Sequence, residues 1–140
     1  MKILLAEDDA LIAMDMQAML EDAGHAVFGP AATVAEGEAL ARAETPDMAV
    51  VDIGLKNGDS GVDLARSLQR QGIPVVFVSG EPTRAQAGRD AAIAFLPKPV
   101  MSDDLIRAIA LTEAIVAGTT LPDVPVSLEV FRTEPWAAAS

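Results

Sequence analysis

A chain of 140 residues with 51% hydrophobic residues is enough for one closed core and short for two. A formal net charge of −11 without a local basic patch repels a nucleic-acid backbone, which excludes a direct DNA or RNA binder and leaves proteins or cations as the expected partners. Cysteine is absent, so disulfides, thiolate metal sites and thiol catalysis are excluded together, and with 4% aromatic residues the core must be built from Ala, Val, Leu, Ile and Met.

The start, MKILLA, meets Glu7 too early for a signal peptide, and no stretch approaches about eighteen uninterrupted apolar residues, so a cytoplasmic protein without membrane contact is expected. Residues 3–6 are a short apolar run and read as a strand. Residues 10–23 follow with helical periodicity, placing Leu11, Ile12, Met16, Met19 and Leu20 on one face, and Gly24 stops the helix. Residues 25–29 read as a second strand and 34–43 as a second helix, entered through Thr33 as N-cap and ended by Pro46.

The third strand, residues 48–52, is apolar until it ends abruptly on Asp52, and the loop GLKNGDSG leads to a helix over 62–70 closed by Gly72. Pro74 introduces the fourth strand, residues 75–79, which ends on Ser79. The following TRAQAGRDAA offers only alanines as apolar anchors with Gly88 among them, so a fourth helix there is expected to be short or mobile. Residues 93–96 form a short fifth strand before Lys98 and Pro99, and a last helix runs over 103–117 with Ser102 as N-cap.

Strands that are apolar throughout, separated by helices, predict a parallel sheet covered on both faces, since a sheet with one wet face would alternate. The right-handed crossover rule makes that sheet doubly wound, with functional groups beyond the carboxyl ends of its strands. Glu7 and Asp8, Asp52, Ser79 and Lys98 all fall at such ends. Adjacent carboxylates are costly without a cation, and an oxygen-only donor set suits Mg²⁺. A phosphoryl group could then be met by Asp52 as acceptor, with Lys98 as compact positive charge and Ser79 as hydroxyl donor.

ILLAEDD, MAVVDI, VVFVSG and FLPKP, in this order and spacing, resemble the motifs of the receiver family of two-component response regulators over about residues 2–117. The resemblance implies a flavodoxin-like, five-stranded sheet in the order 2-1-3-4-5. It also implies phosphorylation of Asp52 by a histidine kinase or phosphotransfer protein, and Mg²⁺ held by Asp8, Asp52 and the Gly54 carbonyl with Glu7 completing the acidic pair. Ser79 and Lys98 would contact the phosphoryl group, and Ser79 with Phe95 would form the conformational switch. The switch surface would be the fourth helix, fifth strand and last helix, and the Lys98–Pro99 bond is a candidate for the cis isomer. Glu81 and Gly54 are placed to influence dephosphorylation. PVVFVSGEP further resembles the subgroup marked by Pro-Phe-x-Phe-Ala-Thr-Gly, mostly stand-alone receivers in alphaproteobacterial stress signalling, with a serine here for the threonine and a valine for the first phenylalanine.

Residues 119–140 are too few for an output domain, so 1–118 are read as the receiver and action is expected through binding or as a phosphate sink, without enzymatic turnover of another substrate. In LPDVPVSLEV the alternating Val124, Val126, Leu128 and Val130 signal a strand that Pro125 confines to an edge. The last helix is apolar almost all round, at Leu105, Ile106, Ile109, Leu111, Ile115 and Val116, which predicts cover for its outer face from the tail or from a second copy in a homodimer.

Taken singly, Glu7, Asp8 and Asp9 would be no more than a helix cap, Asp52 and Ser79 turn residues, and Lys98 a solvated charge; their joint position at successive strand ends favours a site. His25 and the methionines are read as structural, and Trp136 as a loosely packed tail residue. A phosphatase of the haloacid-dehalogenase kind would need an acid where Gly54 stands, and a nucleotide binder would need a phosphate cradle where the acidic Glu7–Asp8 loop stands. The remaining alternative is a binding-only pseudo-receiver acting as an adaptor.

Overall fold

A computed structural model describes residues 1–133, so the expectation for Trp136 lies outside the described residues. Strand β1 (Lys2–Ala6) leads to α1 (Ala10–Asp22), β2 (Ala26–Ala31), α2 (Val34–Glu44), β3 (Met48–Asp52) and α3 (Gly61–Arg70). The chain continues through β4 (Val75–Ser79), α4 (Pro82–Ala87), β5 (Ala94–Pro97), α5 (Ser102–Ala117) and β6 (Glu129–Val130). The sheet order is β2-β1-β3-β4-β5-β6, parallel except for β6, so the expected doubly wound arrangement gains a sixth, antiparallel strand.

The central strands are buried on both faces because the helices divide between them. On one face Ile3, Leu5, Val50, Val76 and Val78 meet Met16 and Leu20 of α1 and Leu105, Ile109 and Ile115 of α5. On the other, Leu4, Ala49, Val51 and Phe77 meet Ala41 of α2, Leu64 and Leu68 of α3 and Ala85 of α4. Leu11, expected on the inner face of α1, is instead 79% exposed, and Ala13 takes the buried position one turn before Met16.

Strand β2 runs past its expected end at Gly29. Pro30 has no N–H to give, and the register against β1 shifts between Leu4 and Ala6, which an edge strand tolerates. Gly29 adopts φ 123°, and a Cβ there would crowd the Leu5 carbonyl. The Gly29–Pro30 bond is cis, as is Lys98–Pro99.

Helix α4 is short, as expected: Ala85 is its one buried side chain, and Gly88 caps it before a separate 3-10 turn at Arg89–Ala91. Helix α5 begins one residue earlier than expected. The Met101 carbonyl already accepts from the Leu105 amide at 3.0 Å, so Ser102 is the first helical residue and not the N-cap; Asp103 and Asp104 complement the helix dipole in the first turn.

The apolar excess of α5 is largely absorbed within the chain. Leu105, Ile109, Leu111 and Ile115 are buried, Leu128 from the tail joins the same cluster, and Val116 is the large apolar side chain of α5 left exposed. The tail docks mainly on the sheet edge. Phe131 N–H donates to the Ile93 carbonyl at 2.7 Å, Glu129 pairs in register with Phe95, and Ser127 Oγ donates to Asp104 at 2.8 Å. No helix among the described residues is long and apolar enough to cross a membrane.

Gly61, at the start of α3, sits directly over the end of β3. A Cβ there would overlap the Asp52 carbonyl and lie 2.8 Å from Ile53 Cα. Backbone cannot give way as a side chain can, so Gly61→Ala is expected to destabilise by on the order of 3 kcal/mol. Urea denaturation of the purified variant checks this, and an unchanged midpoint would show that α3 can shift.

Candidate functional site

Strands β1, β3 and β5 run parallel, so their carboxyl ends open onto one rim of the sheet. Just past β1, the Glu7 amide donates to the Ala31 carbonyl at 2.9 Å, which fixes the turn. Asp9 is the residue that caps α1, accepting from the Leu11 and Ile12 amides at 3.0 and 3.1 Å. Glu7 and Asp8 are therefore not needed as caps. Asp52 ends β3 and is 6% exposed, while Glu7 is 2% exposed; Asp8 faces solvent.

Lys98 follows β5 and is aimed across the rim while its amide donates to the Ser79 carbonyl at 3.0 Å. Its Nζ lies 3.1 Å from Asp52 Oδ2, and 3.1 and 3.2 Å from the two Glu7 oxygens. One oxygen from each of Glu7, Asp8 and Asp52 lies within 4.8 Å of the other two. Two of these carboxyls thus share one ammonium, with Asp8 beside them. Burial, the hydrogen bond that a protonated Glu7 donates to Asp52, and repulsion by Asp52 push Glu7 up to about 8, with Lys98 pulling the other way. Burial works against the charge on Lys98, but hydrogen bonds and attraction from Asp52 and Glu7 outweigh it and hold the ammonium above its ordinary value.

The other residues singled out from the sequence surround this cluster. The Gly54 amide donates to Asp52 Oδ1 at 3.3 Å, and the loop beyond it is held by an isolated bridge between Gly54 and Ser60. Ser79 is buried at the end of β4, where its hydroxyl accepts from the Glu81 amide at 2.9 Å. Phe95 is turned inward, 5% exposed, among Val75, Phe77 and Ala91. Glu81 forms an ion pair with Arg84 of α4 at 2.7 Å. Sequence reasoning did not single out Arg84; its only signal is the i,i+3 spacing from Glu81. Also missed was Asp59, whose carboxylate accepts from the Val34 amide at 2.9 Å and ties the loop after β3 to α2.

The donor set tests well for a metal. All three side chains offer oxygen, two are buried, and the third keeps the cluster open to solvent, which suits a hard divalent cation that retains water.

A doubly wound sheet with its charged groups gathered at the carboxyl-terminal rim defines an α/β domain that works from its strand ends. Residues 3–110 match the family described as the response regulator receiver domain. The chain belongs to this family of two-component signalling domains. It is 37% identical over 114 residues to the transcriptional regulatory protein PdtaR of Mycobacterium tuberculosis, an alignment covering 79% of this chain and 55% of PdtaR. It is 38% identical over 97 residues to the phyllosphere-induced regulator PhyR of Methylorubrum extorquens, covering 68% of this chain and 36% of PhyR. The chain thus spans about half or less of these two relatives. Protein PilH of Pseudomonas aeruginosa is 32% identical over 123 residues, covering 84% of this chain and 98% of PilH. Among solved structures, the receiver domain of a modulated diguanylate cyclase from Desulfovibrio desulfuricans G20 superposes with TM-score 0.71 at 30% identity, covering 77% of this chain and 89% of that one. The response regulator PhyR from Brucella abortus superposes with TM-score 0.65 at 36% identity, covering 73% and 43%.

Without metal, Glu7 keeps its proton in the folded state up to about 8 but loses it near 4.5 when unfolded. The folded state then holds the extra proton, so this contribution to stability is complete below about 4.5 and is lost as the pH rises through about 8. In chelator, Glu7→Gln, which mimics the protonated form, is expected to flatten the decline in urea midpoint across that window. Parallel curves for the variant and the wild type would contradict the protonated Glu7.

Proposed function

We propose that this receiver accepts a phosphoryl group on Asp52 from the phosphohistidine of a histidine kinase or phosphotransfer protein. The observation that carries the reading is Lys98 Nζ at 3.1 Å from both Asp52 and Glu7, on a rim where three carboxyls converge. A structural ion pair needs only one acid for one lysine; the surplus calls for further positive charge, which a cation supplies.

In the transfer, an Asp52 carboxylate oxygen attacks phosphorus, the P–N bond of the donor breaks, and its electron pair returns to the imidazole, which regains a proton. Asp52 becomes an acyl phosphate. Such a transfer requires alignment and charge neutralisation more than a strong base, which suits a rim without histidine. The Gly54 amide holds one Asp52 oxygen, and Lys98 stands beside the other. Asp8, Asp52, the Gly54 carbonyl and Glu7 would hold Mg²⁺, which when bound neutralises charge on the phosphoryl oxygens. Lys98, already oriented by Asp52, would follow the new phosphoryl group. Ser79 would exchange the Glu81 amide for a phosphoryl oxygen, with the inward Phe95 as the packed neighbour of that change. No turnover of a separate substrate is required.

The donor would dock beside α1. Leu11, Met14 and Met101 are exposed there, and Ile12, Asp15, Met16, Met19, Lys98, Pro99 and Val100 line a cavity of about 350 Å³. An apolar rim leading to Lys98 suits a helical partner that presents its phosphohistidine to Asp52.

Intact-mass spectrometry after incubation with a small-molecule phosphodonor tests the reading. One phosphoryl adduct is expected on the wild type with Mg²⁺, none with chelator and none on Asp52→Asn, while Lys98→Ala should slow its appearance at least about a hundredfold, the loss typical of one preorganised charge contact. A wild type that stays unmodified both with the small donor and with phosphorylated kinases would point to the adaptor instead.

A further inference from the structure

Arg84 is a cation close to the rim that the transfer as described does not use. A Cβ built on Gly54 would lie 3.7 Å from its Nη1, and the Gly54 amide itself bonds to Asp52, so the guanidinium stands beside the loop residue that holds the acceptor carboxylate. Its partner in the structure is Glu81, whose own amide is held by Ser79 Oγ. Glu81 and Arg84 are both exposed, and an ion pair of that kind contributes little and is easily given up. A phosphoryl group on Asp52 would bring close to two negative charges and three acceptor oxygens to the same place. Guanidinium forks match such oxygens in a bidentate way, and charge-assisted bonds of this type are stronger than an exposed side-chain pair.

We infer that Arg84 is a second cationic contact for the phosphoryl group on Asp52, reached by exchanging Glu81 for the phosphoryl oxygens over the side-chain-free Gly54. The inference rests on phosphorylation of Asp52 and goes beyond it. It also gives α4 a physical link to the site: Ala85 is the one buried side chain of α4, and its other tie, Gln86 to Glu129, is exposed, so a pull on Arg84 can move the helix. The contact affects the return reaction too. In hydrolysis a water oxygen attacks phosphorus, the P–O bond to Asp52 breaks with its electrons returning to the carboxylate, and the water's proton passes to the released phosphate or solvent. A guanidinium laid over the phosphoryl oxygens on the solvent side obstructs that water.

The test uses the full chain with Mg²⁺ and beryllium fluoride, a non-hydrolysing stand-in for the phosphoryl group, titrated by calorimetry into the wild type and into Arg84→Ala, Arg84→Lys and Glu81→Gln. Arg84→Ala should bind about tenfold more weakly, about 1.4 kcal/mol, Arg84→Lys should recover part of the loss, and Glu81→Gln should bind more tightly because Arg84 is released. The lifetime of the Asp52 acyl phosphate should shorten and lengthen in the same order. Thermal melting of each variant separates lost contact from lost folding, and Arg84→Lys keeps the charge if the alanine variant melts early. Unchanged affinity and lifetime in Arg84→Ala, with a wild type that binds, would overturn the role of Arg84 alone. A wild type that binds no better than Asp52→Asn would overturn phosphorylation of Asp52 and the inference with it.

Discussion

Three carboxyls and one ammonium held together at the rim of a sheet are the constraint on which the rest of the molecule depends. Glu7 and Asp52 are almost fully buried, and one Lys98 cannot neutralise both together with Asp8. A folded chain can hold such a cluster only if rigid elements fix its members. The strands β1, β3 and β5 do this, since each is buried on its flanks and supplies a residue at its end. The gathered carboxyls make the site receptive to cations, and burial, more than repulsion by Asp52, raises Glu7.

The surroundings divide into stiff and yielding parts. Strand β3 is clamped from above by Gly61, and the loop after it is tied to the start of α2 through Asp59 and to the segment before α2 through the Lys56 amide on the Ala32 carbonyl. On the other side, the connection from Ser79 to β5 has a six-residue helix with one buried alanine and side-chain pairs exposed to water. A perturbation at Asp52 therefore has an easier outlet toward α4 than toward α3. The rim thus lies between a stiff flank at β3 and α3 and a yielding flank at α4.

Much of this was legible in the sequence because the signals were local and strong. Apolar runs without alternation marked β1, β3, β4 and β5, and abrupt charges at their ends marked Glu7, Asp8, Asp52 and Lys98. The lack of large apolar residues between Ser79 and Ile93 foretold a short α4. What was not legible depended on tertiary contacts. The second strand was expected to stop at Gly29, yet as an edge strand it continues through Pro30 with a register shift. Ser102 has the composition of a cap, but the Met101 carbonyl had already started the helix. The apolar girth of α5 called for cover from the tail or from a second copy without deciding between them, and α1 with Leu128 of the tail covers most of it. Arg84 carries no motif, and only the approach of α4 to the loop after β3 brings it near Gly54.

The outer strands of the sheet have a bearing on behaviour at high concentration. A parallel sheet ordinarily leaves two rows of unpaired amides and carbonyls that can recruit further chains. Here one border is β2, interrupted by Pro30 and a register shift, and the other is β6, two residues long with Pro125 shortly before it. Among the described residues, neither border offers a long, regular ladder to a newcomer. Edge-to-edge joining of sheets between copies of the chain is thereby disfavoured.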